Sequence, residues 1–440
     1  MKKYSLGALV AAGLLAGGLS AGSASAADLG GNCCADLEER IAELEATTAR
    51  KGNRKVSLTI SGWVAQQVVG WDDGAEQNVY VGDIGATLSS HFKFTGQATI
   101  SPGWYAGYVL HVEARNANSL ALTQNWADTT AGGTGLGLLQ SFWFIKSDHL
   151  GKVSVGLQSQ ASDNTAILVD GSGSLVPANW VAFDYNSFFL RDKNSGVLLD
   201  GSAAALGIAA NWGMNSRCVG GGAVGDCNGG TQNVVRYDSP TFGGFSVSAS
   251  WGEDDMWDVA ARYAGEHAGF KFAAAAAYNE ISDESFANII QGDTFKYFQV
   301  GAYIEHVPTG LFLYGAYGHN ESELLSGDND TYYVKAGLRE RWTPLGHTVL
   351  YGEYENSEGT GGFSLASTSL STSFDANIDI AGNSSEMQLW GVGIVQEIDA
   401  AAMSLWISYR HISQDDDLAN AVGIDFEDFQ YIKAGALINF

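Results

Sequence analysis

Proline is scarce in this chain, with 5 among 440 residues, and cysteine scarcer still, with 4. Basic side chains are also few: 23 Lys and Arg stand against 49 Asp and Glu, a formal charge of −26. After position 26 no apolar run approaches the roughly 20 residues that a membrane-crossing helix needs. The eight histidines (His91, His111, His149, His267, His306, His319, His347 and His411) are scattered, with no His-Glu-x-x-His and no Cys-x-x-Cys. Each shortage excludes something. Without a basic face there is nothing to neutralise a phosphate backbone, so nucleic acid is not an expected partner. With no clustered ligands, neither a metal nor another cofactor is expected. Without long apolar helices, a membrane-inserted chain has one architecture left. That is a closed β-barrel, because backbone polar groups in lipid must all be paired internally. A soluble exported protein is the other option.

What is present favours the barrel. Residues 1–26 carry Lys2 and Lys3, an apolar stretch from Leu6 to Leu19 and the small-residue site Ala24-Ser25-Ala26. That pattern is a secretory signal peptide. Its removal would take two lysines and no acid, moving the formal charge from −26 to −28. Glycine is abundant at 56, and there are 12 Trp, 18 Tyr and 20 Phe. A mean hydropathy of −0.03 together with many aromatics fits strands that alternate lipid-facing and water-facing residues. Acidic clusters such as Glu253-Asp254-Asp255 and Asp415-Asp416-Asp417 read either as solubilising loop charge or as carboxylates bridged by divalent cations to anionic lipid headgroups.

Residues 27–54 differ from all that follows. Leu37, Ile41 and Leu44 have the 4-then-3 spacing of a coiled-coil seam, with Arg40 and Glu45 at flanking positions. Two heptads are marginal alone, so the alternatives are a coiled coil between assembled chains and a lone amphipathic helix at a barrel mouth. From residue 55 onward the pattern is strand and turn. In Trp104–Arg115 the set Trp104, Ala106, Tyr108, Leu110, Val112 and Ala114 opposes Tyr105, His111, Glu113 and Arg115. Over Tyr332–Trp342 the apolar face opposes Lys335, Arg339 and Arg341, and the last residues alternate down to a terminal Phe440.

The prolines punctuate this pattern. Pro102, Pro240, Pro308 and Pro344 each lie between two alternating segments, where the absent N–H costs no ladder bond. Long polar connections lie between those turns: 116–137, 279–293, 320–330, 356–385 and 413–425. Short turns alternating with long loops are how bacterial barrels are built. Residues 161–231 break the rhythm, being too long for an ordinary loop. Taken wholly as loop they leave 16 strands. If Phe183–Arg191 and Val197–Trp212 are strands there are 18, and 16 is the favoured count. The expected fold is therefore all-β, a transmembrane antiparallel barrel over 55–440.

The stretch Gly30–Val64, GGNCCADLEERIAELEATTARKGNRKVSLTISGWV, resembles the N-terminus of the alphaproteobacterial general porins. Arg236-Tyr237-Asp238-Ser239-Pro240 and the FGGFSVSASWGEDD that follows Thr241 are similar to a further segment of that family. The resemblance implies a 16-stranded homotrimer in the bacterial outer membrane, in contact with lipid and lipopolysaccharide. It also implies passive diffusion of small hydrophilic solutes, with loop three folded into the lumen.

On that expectation, residues 161–196 hold loop three, with Asp163, Asp170, Asp184 and Asp192 as candidate constriction carboxylates. Arg115, Arg236, Arg262, Arg339, Arg341 and Arg410 form the opposing cationic wall. Opposed charges across the narrowest point would orient dipolar solutes. Each has a plainer reading: the arginines as ion pairs pinning strands, and Asp192, between Arg191 and Lys193, as a solvated turn. Cys218 and Cys227 bracket a Gly-rich loop, and in an oxidising compartment a disulfide between them would restrict it. Cys33 and Cys34 are adjacent, leaving free thiols or interchain bonds open. Two pattern matches are accidents of composition: Gly18–Gly22 lies in the leader, and the glycines at 220, 222 and 225 precede no expected helix. No catalytic residue is expected. The rival functions are a substrate-specific channel for sugars or dicarboxylates, which would need a dedicated binding site, and an exported adhesin or solenoid, against which the lack of a fixed repeat argues.

Overall fold

The computed structural model describes residues 55–440 except 86, 126–134, 181–183, 203, 206–207, 215–230, 253–254, 283–293, 323–326 and 361–383. The expected signal peptide, the coiled coil, Cys33, Cys34 and the Cys218–Cys227 pair lie outside the described residues. Seventeen strand segments form one antiparallel sheet. They are β1 (Thr59–Asp72), β2 (Gln77–Gly82), β3 (His91–Ser101), β4 (Trp104–Arg115), β5 (Gly135–Ser147), β6 (Gly151–Ser159), β7 (Thr231–Asp238), β8 (Phe245–Gly252), β9 (Trp257–His267), β10 (Phe270–Ser282), β11 (Thr294–His306), β12 (Leu311–Ser322), β13 (Gly327–Thr343), β14 (Gly346–Thr360), β15 (Ser384–Ile398), β16 (Met403–Asp416) and β17 (Phe429–Asn439).

The sheet closes where β17 pairs with β1, from Trp63↔Asn439 to Asp72↔Gln430. Phe440 completes the seam by exchanging backbone hydrogen bonds with Gly62, each 3.0 Å. Closure removes the free edges that lipid cannot solvate. The seventeen segments make sixteen staves, since β2 and β3 are halves of one. β1 pairs with β2 through Gln67–Asp72 and with β3 through Thr59–Trp63. Between the halves, the buried Asp83 carboxylate gathers the chain by accepting from Gly85 N (2.9 Å), Ser89 Oγ (3.0 Å) and Ser119 N (3.1 Å).

Alternation sorts the side chains. On β13, Tyr332, Val334 and Trp342 are exposed outward while Tyr333 and Lys335 are buried inward. Exposed aromatics gather toward both rims: Trp104, Phe245 and Trp342 at the short-turn end, and Trp251, Trp257, Tyr332, Tyr354 and Trp390 toward the other. Ten residues separate Tyr332 from Trp342, about 33 Å of strand at roughly 3.3 Å each. At a tilt of about 40° this spans roughly 25 Å, the height of an apolar membrane band. Pro102, Pro240, Pro308 and Pro344 all fall in the short turns, as their missing donors require. The fifth, Pro177, lies in a helical turn (Leu175–Ala178) inside the barrel.

Phe183–Arg191 and Val197–Trp212 are not barrel strands, which excludes the count of 18. Their described residues make only isolated bridges, Phe189↔Asn211, Arg191↔Leu198 and Asp200↔Ala209. They fold as a lobe into the mouth, where Tyr185, Phe188, Leu190 and Trp212 pack on Trp71 and Phe429. An apolar lobe with an interior to fill has no reason to face lipid.

The constriction and its wall: candidate functional site

Loop three leaves β6 at Ser159 and follows the inner wall, and almost every turn of it is tied down. Arg236 on β7 donates to the carbonyls of Ser159 (2.9 Å) and Gln160 (3.0 Å). Ser250 Oγ on β8 accepts from Ala161 N (3.0 Å), and Asp258 on β9 accepts from Ser162 N (2.6 Å). Arg262, also on β9, donates to Ala161 O (2.6 Å) and Thr165 Oγ1 (2.9 Å). On β11 and β12, Gln299 binds Ala166 N (2.9 Å) and Ser162 O (2.9 Å), while the Tyr314 hydroxyl donates to Ala166 O (2.9 Å). Gly301 makes this contact possible, since a Cβ there would sit 2.2 Å from the Ala166 carbonyl oxygen.

The anchors farther along are ionic. Lys335 on β13 meets Asp170 at 2.6 Å, with neither side chain exposed, and also donates to Asn179 Oδ1 (2.6 Å). Arg410 on β16 pairs with Glu353 on β14 at 2.8 and 2.9 Å, donates to Tyr431 Oη (3.1 Å) and caps the Ala178 carbonyl. Asp184 bonds Lys433 on β17 and accepts from Gln67 Nε2 on β1 at 2.6 Å. Buried charges persist only when paired and hydrogen-bonded, and all of these are.

Loop three is thus anchored to β7, β8 and β9 at its start and to β11, β12, β13, β16, β17 and β1 farther along. Opposite it remains a cavity of about 380 Å³, between the wall carrying His91, Lys93, His111, Lys152, Arg236 and Arg262 and the loop edge carrying Asp163, Leu168 and Val169. Trp63, His91 and His111 form a ladder of edge-on rings along that wall, with centroids 4.0 and 4.2 Å apart.

The ten expected site residues therefore separate. Asp163, Arg236 and Arg262 meet at the cavity. Asp170, Asp184 and Arg410 do not line it, because their charges are spent in the anchors beneath the loop. Asp192 lies in the mouth lobe. It accepts from Ser195 Oγ, Asn194 N (3.2 Å) and Asp425 N (3.3 Å), joining the lobe to the last loop. Burial alone would raise its pKa, but these hydrogen bonds outweigh burial and hold it below the ordinary carboxylate range. Arg339 pairs with Glu397 at 2.9 Å. Arg341 pairs with Asp399 at 2.5 Å at the short-turn rim, with both half exposed. Arg115 sits 3.5 Å from Glu113 near the top of β4. Sequence reasoning missed Lys93 and Lys152 on the cavity wall, although both share the inward phase of their strands. Lys335 and Lys433 were on the water-facing side, but nothing local gave their partners.

A closed sixteen-stave barrel, apolar outside and with a tethered inward loop beside a lumen cavity, is the architecture of an outer-membrane diffusion channel. The family model of the Gram-negative porins matches residues 8–417, and the chain belongs to that family. It is an outer-membrane porin, a water-filled channel for passive diffusion of small hydrophilic solutes. Among solved structures, the Pseudomonas putida OprB at high pH is 11% identical with a TM-score of 0.52, covering 92% of this chain and 97% of its own. A loop L8 deletion mutant of OmpT, an outer membrane protein of Vibrio cholerae, is 11% identical with a TM-score of 0.50, covering 88% and 100%. At such identities the likeness is one of fold. No curated protein matches the chain.

Proposed function

We propose a general diffusion porin of the alphaproteobacterial type, working as a homotrimer among lipid and lipopolysaccharide, whose constriction sets the edge of loop three at Asp163 against Lys93, Arg236 and Arg262. The carrying observation is that loop three, anchored from β7 round to β1, leaves beside it a cavity whose wall is cationic and whose loop edge carries Asp163. Small polar solutes and ions cross such a gap by diffusion, sorted by bore and fixed charge. A leader over 1–26, a periplasmic coiled coil over 27–54 and a Cys218–Cys227 disulfide belong to the same proposal and rest on the sequence alone.

Purified protein in planar bilayers tests it. Stepwise conductance that rises with salt without saturation is expected. A current blocked saturably by one sugar or dicarboxylate would make it a substrate-specific channel instead. Bands that shift from trimer to monomer size on heating a gel sample check the assembly.

A further inference from the structure

We infer that the passage prefers small anions, carboxylates and inorganic phosphate among them, over cations, against the sign of the chain as a whole. This rests on the reading of the cavity beside loop three as the constriction. Among the described residues, four Lys or Arg side chains and two carboxylates line that cavity: Lys93, Lys152, Arg236 and Arg262 against Asp163 and Asp238. One acid serves two of the bases, since Asp238 lies 3.0 Å from Lys152 and 2.8 Å from Arg236. Arg262 donates to neutral groups, Ser248 Oγ (2.6 Å), Ala161 O and Thr165 Oγ1, and among the described residues no carboxylate is in direct contact with it. Lys93 has no hydrogen-bond or ion-pair partner among the described residues, and its cross-strand neighbours are Ser61 and His111, neither acidic.

The passage wall thus carries an excess of two positive charges within a chain of formal charge −26. Fixed charge acts within about one Debye length, roughly 8–10 Å in physiological salt. A narrow, low-dielectric passage focuses that field onto whatever enters. Loop acids far from the waist therefore do not decide its preference; the wall does.

The test is a reversal potential. The full-length protein is reconstituted in planar bilayers across a tenfold potassium chloride gradient, then again with potassium acetate and potassium phosphate. An anion-to-cation permeability ratio of about tenfold is expected with each salt, the lower end of what field focusing gives. Lys93→Glu, which cancels the excess, is expected to bring the ratio to about one while current persists, and Lys93→Gln to fall between. Open channels that prefer potassium in the parent protein would overturn the inference and leave the porin intact. An anion preference that survives Lys93→Glu unchanged would overturn its assignment to this wall. Bilayers that stay silent would instead remove the channel reading on which it stands.

Discussion

The two sides of the lumen carry the same kinds of residue and use them differently. On the β11-to-β17 side, Lys335, Arg410 and Lys433 are buried under loop three and matched to Asp170, Glu353 and Asp184. On the β3-to-β9 side, Lys93, Lys152, Arg236 and Arg262 line the cavity and outnumber the two acids there, although Arg236 and Arg262 also hold the start of loop three. Alternation alone put all seven inside the barrel. A cation covered by the loop is a fastener alone, whereas Arg236 and Arg262 fasten the loop and still line the cavity.

The sharpest way to break that contrast is to remove one fastener. Arg410→Met is expected to lose about 3–5 kcal/mol, because it leaves Glu353 charged and buried and the Ala178 carbonyl uncapped. The temperature at which the folded band disappears on a gel should drop clearly. Lys335→Met should cost a comparable amount, whereas Lys335→Met with Asp170→Leu should recover most of it, since a well-packed apolar pair replaces a buried ionic one. A double variant no better than the single would mean that the Asn179 contact, not the ion pair, secures this turn.

Next in size is a steric test of the same contact. Gly301→Val places a side chain where Ala166 O now sits, costing about 1–3 kcal/mol of overpacking. Loop three then has to move off β11 toward the cavity, and single-channel conductance should fall while the barrel stays folded. Unchanged conductance would show that the loop edge does not limit flow. On the open side, Asp163→Asn should shift stability by no more than about 0.5 kcal/mol, as substitutions outside packed or paired sites do. It should raise the anion preference slightly, which a reversal potential reads directly.

How much of this was legible in the sequence follows from the same contrast. A strand's two-residue period is local, so the inward phase of Glu113, Lys335, Arg410 and Lys433 could be read from their neighbours, and proline placement gave the short-turn end. The partners could not. Asp184 and Lys433 lie 249 positions apart and meet only because loop three crosses the lumen. Val197–Trp212 has strand composition because parts of it do bridge, but within a lobe that fills the mouth rather than in the wall. The break between β2 and β3 had no signal stronger than Asp83 followed two residues later by Gly85. A buried carboxylate gathering backbone donors looks, in sequence, like any turn.

A local effect separates the mouth lobe from both walls. Asp192 holds its turn through Ser195 and Asn194 and reaches Asp425, and its carboxyl titrates below the usual range in the folded protein. A depressed folded value stabilises above the unfolded value, near 3.9, and that contribution is lost as pH falls through the folded value. Protection of the Asn194 and Ser195 amides, measured against the intrinsic exchange rate at each pH, should therefore fall selectively under acid, and Asp192→Asn should show the same loss already at neutral pH, by about 1 kcal/mol of local opening. Loop three between Asp163 and Asp184 has its own anchors to the walls, so its protection should not follow. If it does, lobe and constriction open as one unit, and the mouth, not the waist, governs how the loop is held.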